Sequence, residues 1–121
     1  MYTVDKKADK IGVGIINMIQ GAKKDYINMS RSYGRKELTG YSKEQVDKWE
    51  NLFRLETGKK YIRVVRENGV FCFIVKEDSG KFKKGDILKA AGYRAPAKNS
   101  ARGNVLTGNY NIQWTGPLYL K

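Results

Sequence analysis

A chain of 121 residues with 24 Lys and Arg against 12 Asp and Glu carries a net charge of +12, which points to an anionic partner: nucleic acid, an acidic protein face or, ranked below these, an anionic membrane surface. Its length is that of one domain able to bury a modest core without cross-links, and residues 1–121 are expected to form a single domain. With no histidine and a single cysteine, it lacks the commonest general base near neutral pH and excludes an intramolecular disulfide or a thiolate metal cluster within one chain.

In chain order, Ile11, Ile15, Met18, Ile19, Ala22, Tyr26, Met29 and Tyr33 recur at spacings of three and four, which predicts an amphipathic helix. Lys10, Asn17, Lys24, Asn28, Arg31 and Arg35 fall away from that stripe and give it a basic, wet back. Gly12, Gly14 and Gly21 each weaken a helix by about 1 kcal/mol relative to Ala, so a late start or a break near Gly21 is expected, with Gly34 as the stop. A stripe longer than its core also offers a contact for a homodimer through this N-terminal helix. The apolar run Ile11 to Ile19 is interrupted by Asn17 and lacks a small-residue cleavage site, so neither a signal peptide nor a membrane span is expected.

A second helix is predicted over YSKEQVDKWENLFRLE, opened by Ser42 and Gln45 as a capping box. Val46, Trp49 and Phe53, with Leu52 beside them, form its core side. Residues 1–56 are thus expected to be mainly helical and 57–121 mainly β.

The period changes to two in KKYIRVVRENGVFCFIVKED, where Asn68-Gly69 predicts a two-residue hairpin turn. That turn sets Arg66 opposite Phe71, Val64 opposite Phe73, Ile62 opposite Val75 and Lys60 opposite Glu77. Ile62, Val64, Phe71, Phe73 and Val75 then form the core face, while Tyr61, Arg63, Val65, Cys72, Ile74 and Lys76 lie on a half-exposed one. The setting of Cys72 suggests a half-buried thiol in a reducing compartment. Turns are expected at Ser79-Gly80 and Gly85-Asp86, the latter feeding a strand from Ile87 to Ala90. NYNIQWTGPLYLK supplies one or two more strands, punctuated by Gly116-Pro117. Between them, residues 92–109 form a long basic loop, held in order by Tyr93 and Pro96. The fold class is α+β: N-terminal helices packed on a small antiparallel or barrel-like sheet.

The segment KFKKGDILKAAGYRAPAKNSARGNVLTGNYNIQWTGPLYL resembles a family of small uncharacterised tailed-bacteriophage proteins. In that family K-F-x-x-G-D-[IV]-L-x-A-A precedes A-P-A-[KR]-N-x-A-R-G-N-[IV] and a closing W-T-G. The match covers roughly the last 60 residues, including the hairpin. The resemblance implies a phage origin, hence the host bacterial cytoplasm or a virion, and carries over no catalytic residue.

No catalytic constellation emerges from the residues, and no enzyme activity, cofactor or metal is expected. ETGKKY lacks the upstream glycine and the Ser or Thr after Lys that a phosphate loop requires. Asp86, the one acid among residues 81–121, reads as a turn cap. Residues 81–121 hold eight basic side chains against that one acid, interleaved with Phe82, Tyr93, Tyr110, Trp114 and Tyr119. Trp114 reads as core and Tyr93 as the exposed ring. In Ala101-Arg102-Gly103-Asn104 a glycine would let amides face outward beside a guanidinium able to grip a phosphate.

The expectation is non-catalytic binding of DNA or RNA. Lys81, Lys83, Lys84, Lys89, Arg94, Lys98 and Arg102 would track phosphates, Tyr93 would stack, and Asn99 and Asn104 would supply hydrogen bonds. The alternative is a phage protein that docks on an acidic host protein and inhibits or redirects it. A structural role in the virion is a third reading.

Overall fold

The computed structural model describes residues 1–32 and 34–118. Tyr33 and Tyr119, and with them the end of the expected NYNIQWTGPLYLK strands from residue 119 on, lie outside the described residues. The elements are β1 (Tyr2–Val4), α1 (Ile11–Ser30), α2 (Gly40–Asp47), a 3-10 turn (Trp49–Leu52), β2 (Phe53–Thr57), β3 (Tyr61–Arg66), β4 (Gly69–Val75), β5 (Ile87–Leu88) and β6 (Tyr110–Ile112). β2-β3-β4-β5 form one antiparallel sheet, and β1 pairs with β6 in a separate two-stranded ribbon. The fold is α+β, with helices packed on antiparallel sheets.

Helix α1 runs unbroken through Gly21, against the expectation of a break there. A β-carbon at Gly21 would stand 2.5 Å from Val4 Cγ2, so the glycine lets the β1–β6 ribbon approach the helix. Ile15, Met18, Ala22 and Tyr26 from α1 share one core with Val4, Tyr110 and Ile112 of the ribbon and with Val64, Cys72, Ile74 and Ile87 of the larger sheet. The central part of the stripe, Ile15 to Tyr26, is therefore covered on both flanks by strands, while Met29 is exposed.

Helix α2 begins at Gly40, with Thr39 at its N-cap, and no side chain caps it. The expected Ser42–Gln45 capping box does not form. Gln45 is buried, and its Oε1 accepts a hydrogen bond from Arg66 Nη2 at 3.5 Å, so it is turned away from the helix start. The helix also ends earlier than expected: a 3-10 turn follows, and Phe53 to Thr57 are strand rather than helix. Trp49, Phe53, Val46 and Leu52 nonetheless reach the core as their spacing implied.

The hairpin turn falls one residue earlier than expected, which shifts the strand register by two residues next to the turn and by one beyond a bulge. Arg66 pairs with Gly69, so the loop is Glu67-Asn68, with Glu67 at φ +55 and its N–H donating to the Leu52 carbonyl. A bulge between Val64 and Val65 leaves Phe71 without a partner, and beyond it Val64 faces Cys72 and Arg63 faces Phe73. The bulge places Phe71 with Cys72 and Ile74 in the α1 core, while Phe73 and Val75 turn to the other side and join Phe82 and Leu88. Burial of these five side chains outweighs the turn preference of Asn-Gly. The expected division into one core face and one half-exposed face is thus overturned, because β4 is covered on both sides.

Cys72 is fully buried rather than half-buried, its thiol directed at Met18 Sδ, 3.8 Å away. Burial pushes that thiol well above the ordinary cysteine range. Iodoacetamide at neutral pH is therefore expected to leave Cys72 unmodified in native buffer and to modify it fully in denaturant. Rapid native labelling, followed by mass spectrometry, would contradict this packing.

Candidate nucleic-acid interface

The side of the larger sheet away from α1 is covered by the chain from Lys76 to Asn104, and this covering is built rather than loose. At Ser79-Gly80 the chain turns tightly, Ser79 and Phe82 exchanging main-chain hydrogen bonds of 2.9 and 3.0 Å. Phe82 is driven inward onto Val75, Phe73 and Leu88. The regular strand is Ile87–Leu88, shorter than the expected Ile87 to Ala90, and Ala90 makes an isolated bridge to Pro96. Pro96 is buried and anchors the loop as expected.

The ordered loop expected over residues 92–109 runs back along β5. Ala97 N–H donates to Lys89 O, Arg102 N–H to Ile87 O, Ile87 N–H to Gly103 O and Val105 N–H to Gly85 O, all between 2.7 and 2.9 Å. The amide of Arg102 thus faces the sheet and not outward. Gly103 is required by packing, since a β-carbon there would collide with the Tyr110 ring.

Asp86 and Asn104 lock this arrangement. The Asp86 carboxylate accepts Lys83 N–H at 2.8 Å and Asn104 Nδ2 at 2.9 Å, the turn-capping role its position implied. Asn104 Nδ2 also donates to Lys84 O, and its Oδ1 accepts the amides of Leu106 and Thr107. This amide is spent on the fold, which leaves it no group for a ligand.

The remaining residues expected at the site fall into two connected groups. Lys81 Nζ donates to Asn99 O at 2.6 Å while lying 5.3 Å from the centre of the Phe82 ring. Asn99 Oδ1 accepts Arg102 Nη1 at 2.9 Å, and Arg102 Nε donates to Leu118 O. Beside it Lys89 Nζ donates to Pro117 O at 2.9 Å. Desolvation, with the Arg102 guanidinium nearby, holds the Lys89 ammonium below the usual lysine range. Lys83, Lys84 and Lys98 are exposed.

Tyr93 and Arg94 belong to the second group. Tyr93 is 45% exposed, yet the Arg63 guanidinium lies 4.6 Å from its ring centre, its carbonyl accepts Arg63 Nη1 at 2.7 Å, and its hydroxyl accepts Arg54 Nη2 at 3.4 Å. Arg54 and Arg63 share a single carboxylate, Glu56, at 3.3 and 2.8 Å. Arg94 lines a cleft of about 160 Å³ with Lys59, Lys60, Tyr61 and Arg63. Glu56 also borders that cleft, and the same Lys59, Lys60 and Tyr61 border a second cleft that reaches Phe82 and also holds Glu77 and Asp78, so neighbouring clefts link the Arg54 group to the Arg102 group.

Arg54, Lys59, Lys60, Tyr61 and Arg63 belong to this candidate face and were not among the residues expected there. The available signal was the alternation Tyr61, Arg63 next to two lysines at a turn. Of the other aromatic residues interleaved with the basic ones, Phe82 and Tyr110 are buried, and Trp114, read as core, packs against it, edge-on to Tyr26 at 5.3 Å.

A family model matches residues 5–120, nearly the whole chain. The chain belongs to DUF7717, a family of unknown function. No curated protein and no solved structure matches it. Among the described residues, no helix is long and apolar enough to cross a membrane.

Proposed function

We propose that this DUF7717 protein binds nucleic acid, DNA or RNA, without catalysing a reaction on it. The observation that carries the reading is the pair of adjoining clefts between Arg54 and Phe82, with Lys81 and Arg102 beside them, where Arg54, Lys59, Lys60, Arg63, Arg94 and Lys81 outnumber Glu56, Glu77 and Asp78 and lie beside Tyr61 and Tyr93. Phosphates would be met by Lys59, Lys60, Arg94, Lys98 and Lys81, since none of these forms an ion pair among the described residues. Tyr93, stiffened by Arg63 on one side, offers its other face to a base, an interaction worth about 1–3 kcal/mol where it forms. Asn99 and Asn104 act as supports for the loop in this scheme. The phage origin suggested by the C-terminal pattern is part of the same proposal and would place the work in an infected bacterial cytoplasm or a virion.

The test is a salt titration of binding to labelled single-stranded DNA, duplex DNA and RNA. Affinity is expected to fall steeply with salt, because each phosphate contact contributes about 0.7–0.9 to the logarithmic slope. Replacing Lys59, Lys60, Arg94 and Lys98 together by Ala is expected to lower affinity at least about tenfold and to flatten the slope by roughly three. Absence of binding at low salt, or a quadruple variant with unchanged affinity and slope, overturns the reading. Capture of a stoichiometric acidic protein from nuclease-treated bacterial lysate, with no nucleic-acid affinity, would replace it by the host-docking alternative.

A further inference from the structure

The larger sheet ends at β2. The main-chain bonds at the two ends of this strand determine which of its groups face β3. Glu67 N–H donates to Leu52 O and Gly58 N–H to Tyr61 O, and hydrogen-bonded pairs alternate along an antiparallel ladder. With Arg54 opposite Val65 and Glu56 opposite Arg63, even-numbered residues address β3, and Phe53, Leu55 and Thr57 address the open edge. The Phe53 N–H is occupied by Glu50 O. That leaves the Phe53 carbonyl and both main-chain groups of Leu55 and Thr57 at the edge.

Apolar surface flanks this edge. Leu55 is 47% exposed and Ile16 59%, and they share a groove of about 210 Å³ with Ile15, Ile19 and Phe53. An open edge with an apolar flank is a pairing site that monomeric proteins ordinarily blunt.

The strand is complementary to itself. Two copies of Phe53–Thr57, run antiparallel about a two-fold axis through Leu55, set Arg54 of each copy opposite Glu56 of the other. In that register the Leu55 pair occupies a hydrogen-bonded position and exchanges both bonds, and each Thr57 amide reaches the other copy's Phe53 carbonyl. A shift of the axis to Arg54 or to Glu56 keeps the main-chain bonding pattern but brings two like charges face to face, which is unfavourable. Charge thus selects one register among those the backbone permits.

We infer that the chain forms a two-fold symmetric homodimer by β2–β2 pairing, in which the two sheets become one and the Ile16–Leu55 surfaces meet across the axis. Arg54 contacts Tyr93 on the side of the sheet that carries the cationic face, so dimerisation joins two such faces into one. The dimer rests on the edge, the groove and the charge pattern alone and stands whether or not nucleic acid binds.

Sedimentation equilibrium of the full chain over the micromolar range tests it, with circular dichroism as the check on folding. A reversible dimer is expected, and Leu55→Lys, which sets two ammonium groups opposite each other at the axis, weakens it by about tenfold or more. Arg54→Glu and Glu56→Arg each weaken the homodimer, and an equimolar mixture of the two restores association as a heterodimer, because opposite charges then face at both positions. A monomer at every concentration overturns the proposal, as does a dimer indifferent to Leu55→Lys or a mixture of folded charge variants that stays monomeric. Should Glu56→Arg fail to fold for want of the ion pair with Arg63, the Leu55→Lys result decides alone.

Discussion

Replacing Trp49 by Ala is expected to cost about 3–5 kcal/mol of stability, the range for truncating a fully buried aromatic residue. Trp49 has no exposed surface and stands where three elements meet. Its ring centre lies 5.2 Å from that of Tyr26 on α1 and 5.6 Å from that of Phe53 on β2. Its indole Nε1–H donates to Ile19 O at 3.0 Å, and the Arg66 guanidinium sits 4.6 Å from its ring centre. Truncation would leave a cavity and remove the nearer of the two rings beside Arg66, leaving that half-buried cation only Trp114, 5.6 Å away, and an apolar void. Against a total stability of about 5–15 kcal/mol typical of small domains, such a loss lowers Tm by roughly 10–20 °C. Trp49→Phe keeps a ring but loses the indole bond, and a smaller loss of about 1–2 kcal/mol is expected. Urea unfolding followed by circular dichroism measures both, and an Ala variant less than about 1 kcal/mol weaker would show that α2 and its 3-10 turn contribute little to the core.

Much of the helical half was legible in the sequence because α1 has one apolar stripe and its spacing survives the interrupting glycines. The glycines themselves misled: Gly21 reads as a weakness by propensity, yet it lies where Val4 comes close, and that contact comes from a strand only three residues long. β4 was readable as a strand but not in its register. Alternation locates a core only when one face is wet, and in Phe71 to Val75 every side chain is buried. The bulge that accommodates Phe71 leaves no trace in composition, so the turn shifted by one residue from the Asn-Gly pair.

The candidate site was legible as chemistry and only partly as geometry. The excess of Lys and Arg after residue 80 and the ordering role of Pro96 follow from residue types alone. That Arg94 shares a cleft with Lys59 and Lys60 follows only from the sheet, which joins segments about thirty residues apart in sequence. The reverse error concerns Asn104. A side-chain amide beside a guanidinium and a glycine suggested ligand contact, whereas nothing in the string announces that both of its ends are enclosed by main chain.

This difference makes Asn104 the second site of large effect. Replacement by Ala removes bonds to Lys84 O, Asp86 Oδ1 and the amides of Leu106 and Thr107. Each neutral bond contributes about 0.5–1.5 kcal/mol net, and the four share one side chain and are not additive, so a loss of about 2–3 kcal/mol is expected. Part of that arises because Asp86 retains Lys83 N–H but loses its second donor in a partly buried turn. Lys98→Ala and Arg94→Ala, at exposed positions with no bond to the loop among the described residues, are expected to change stability by less than about 0.5 kcal/mol and, on the proposed function, to weaken nucleic-acid binding. On the proposed function the two properties should separate, Asn104 acting on order and Arg94 and Lys98 on charge. At a temperature where the Asn104→Ala variant remains folded, its binding should retain the wild-type salt slope, because no phosphate contact has been removed. An Asn104→Ala protein of wild-type stability that has lost affinity would mean that this amide meets the ligand after all, and that the turn from Lys83 to Asp86 holds itself without it.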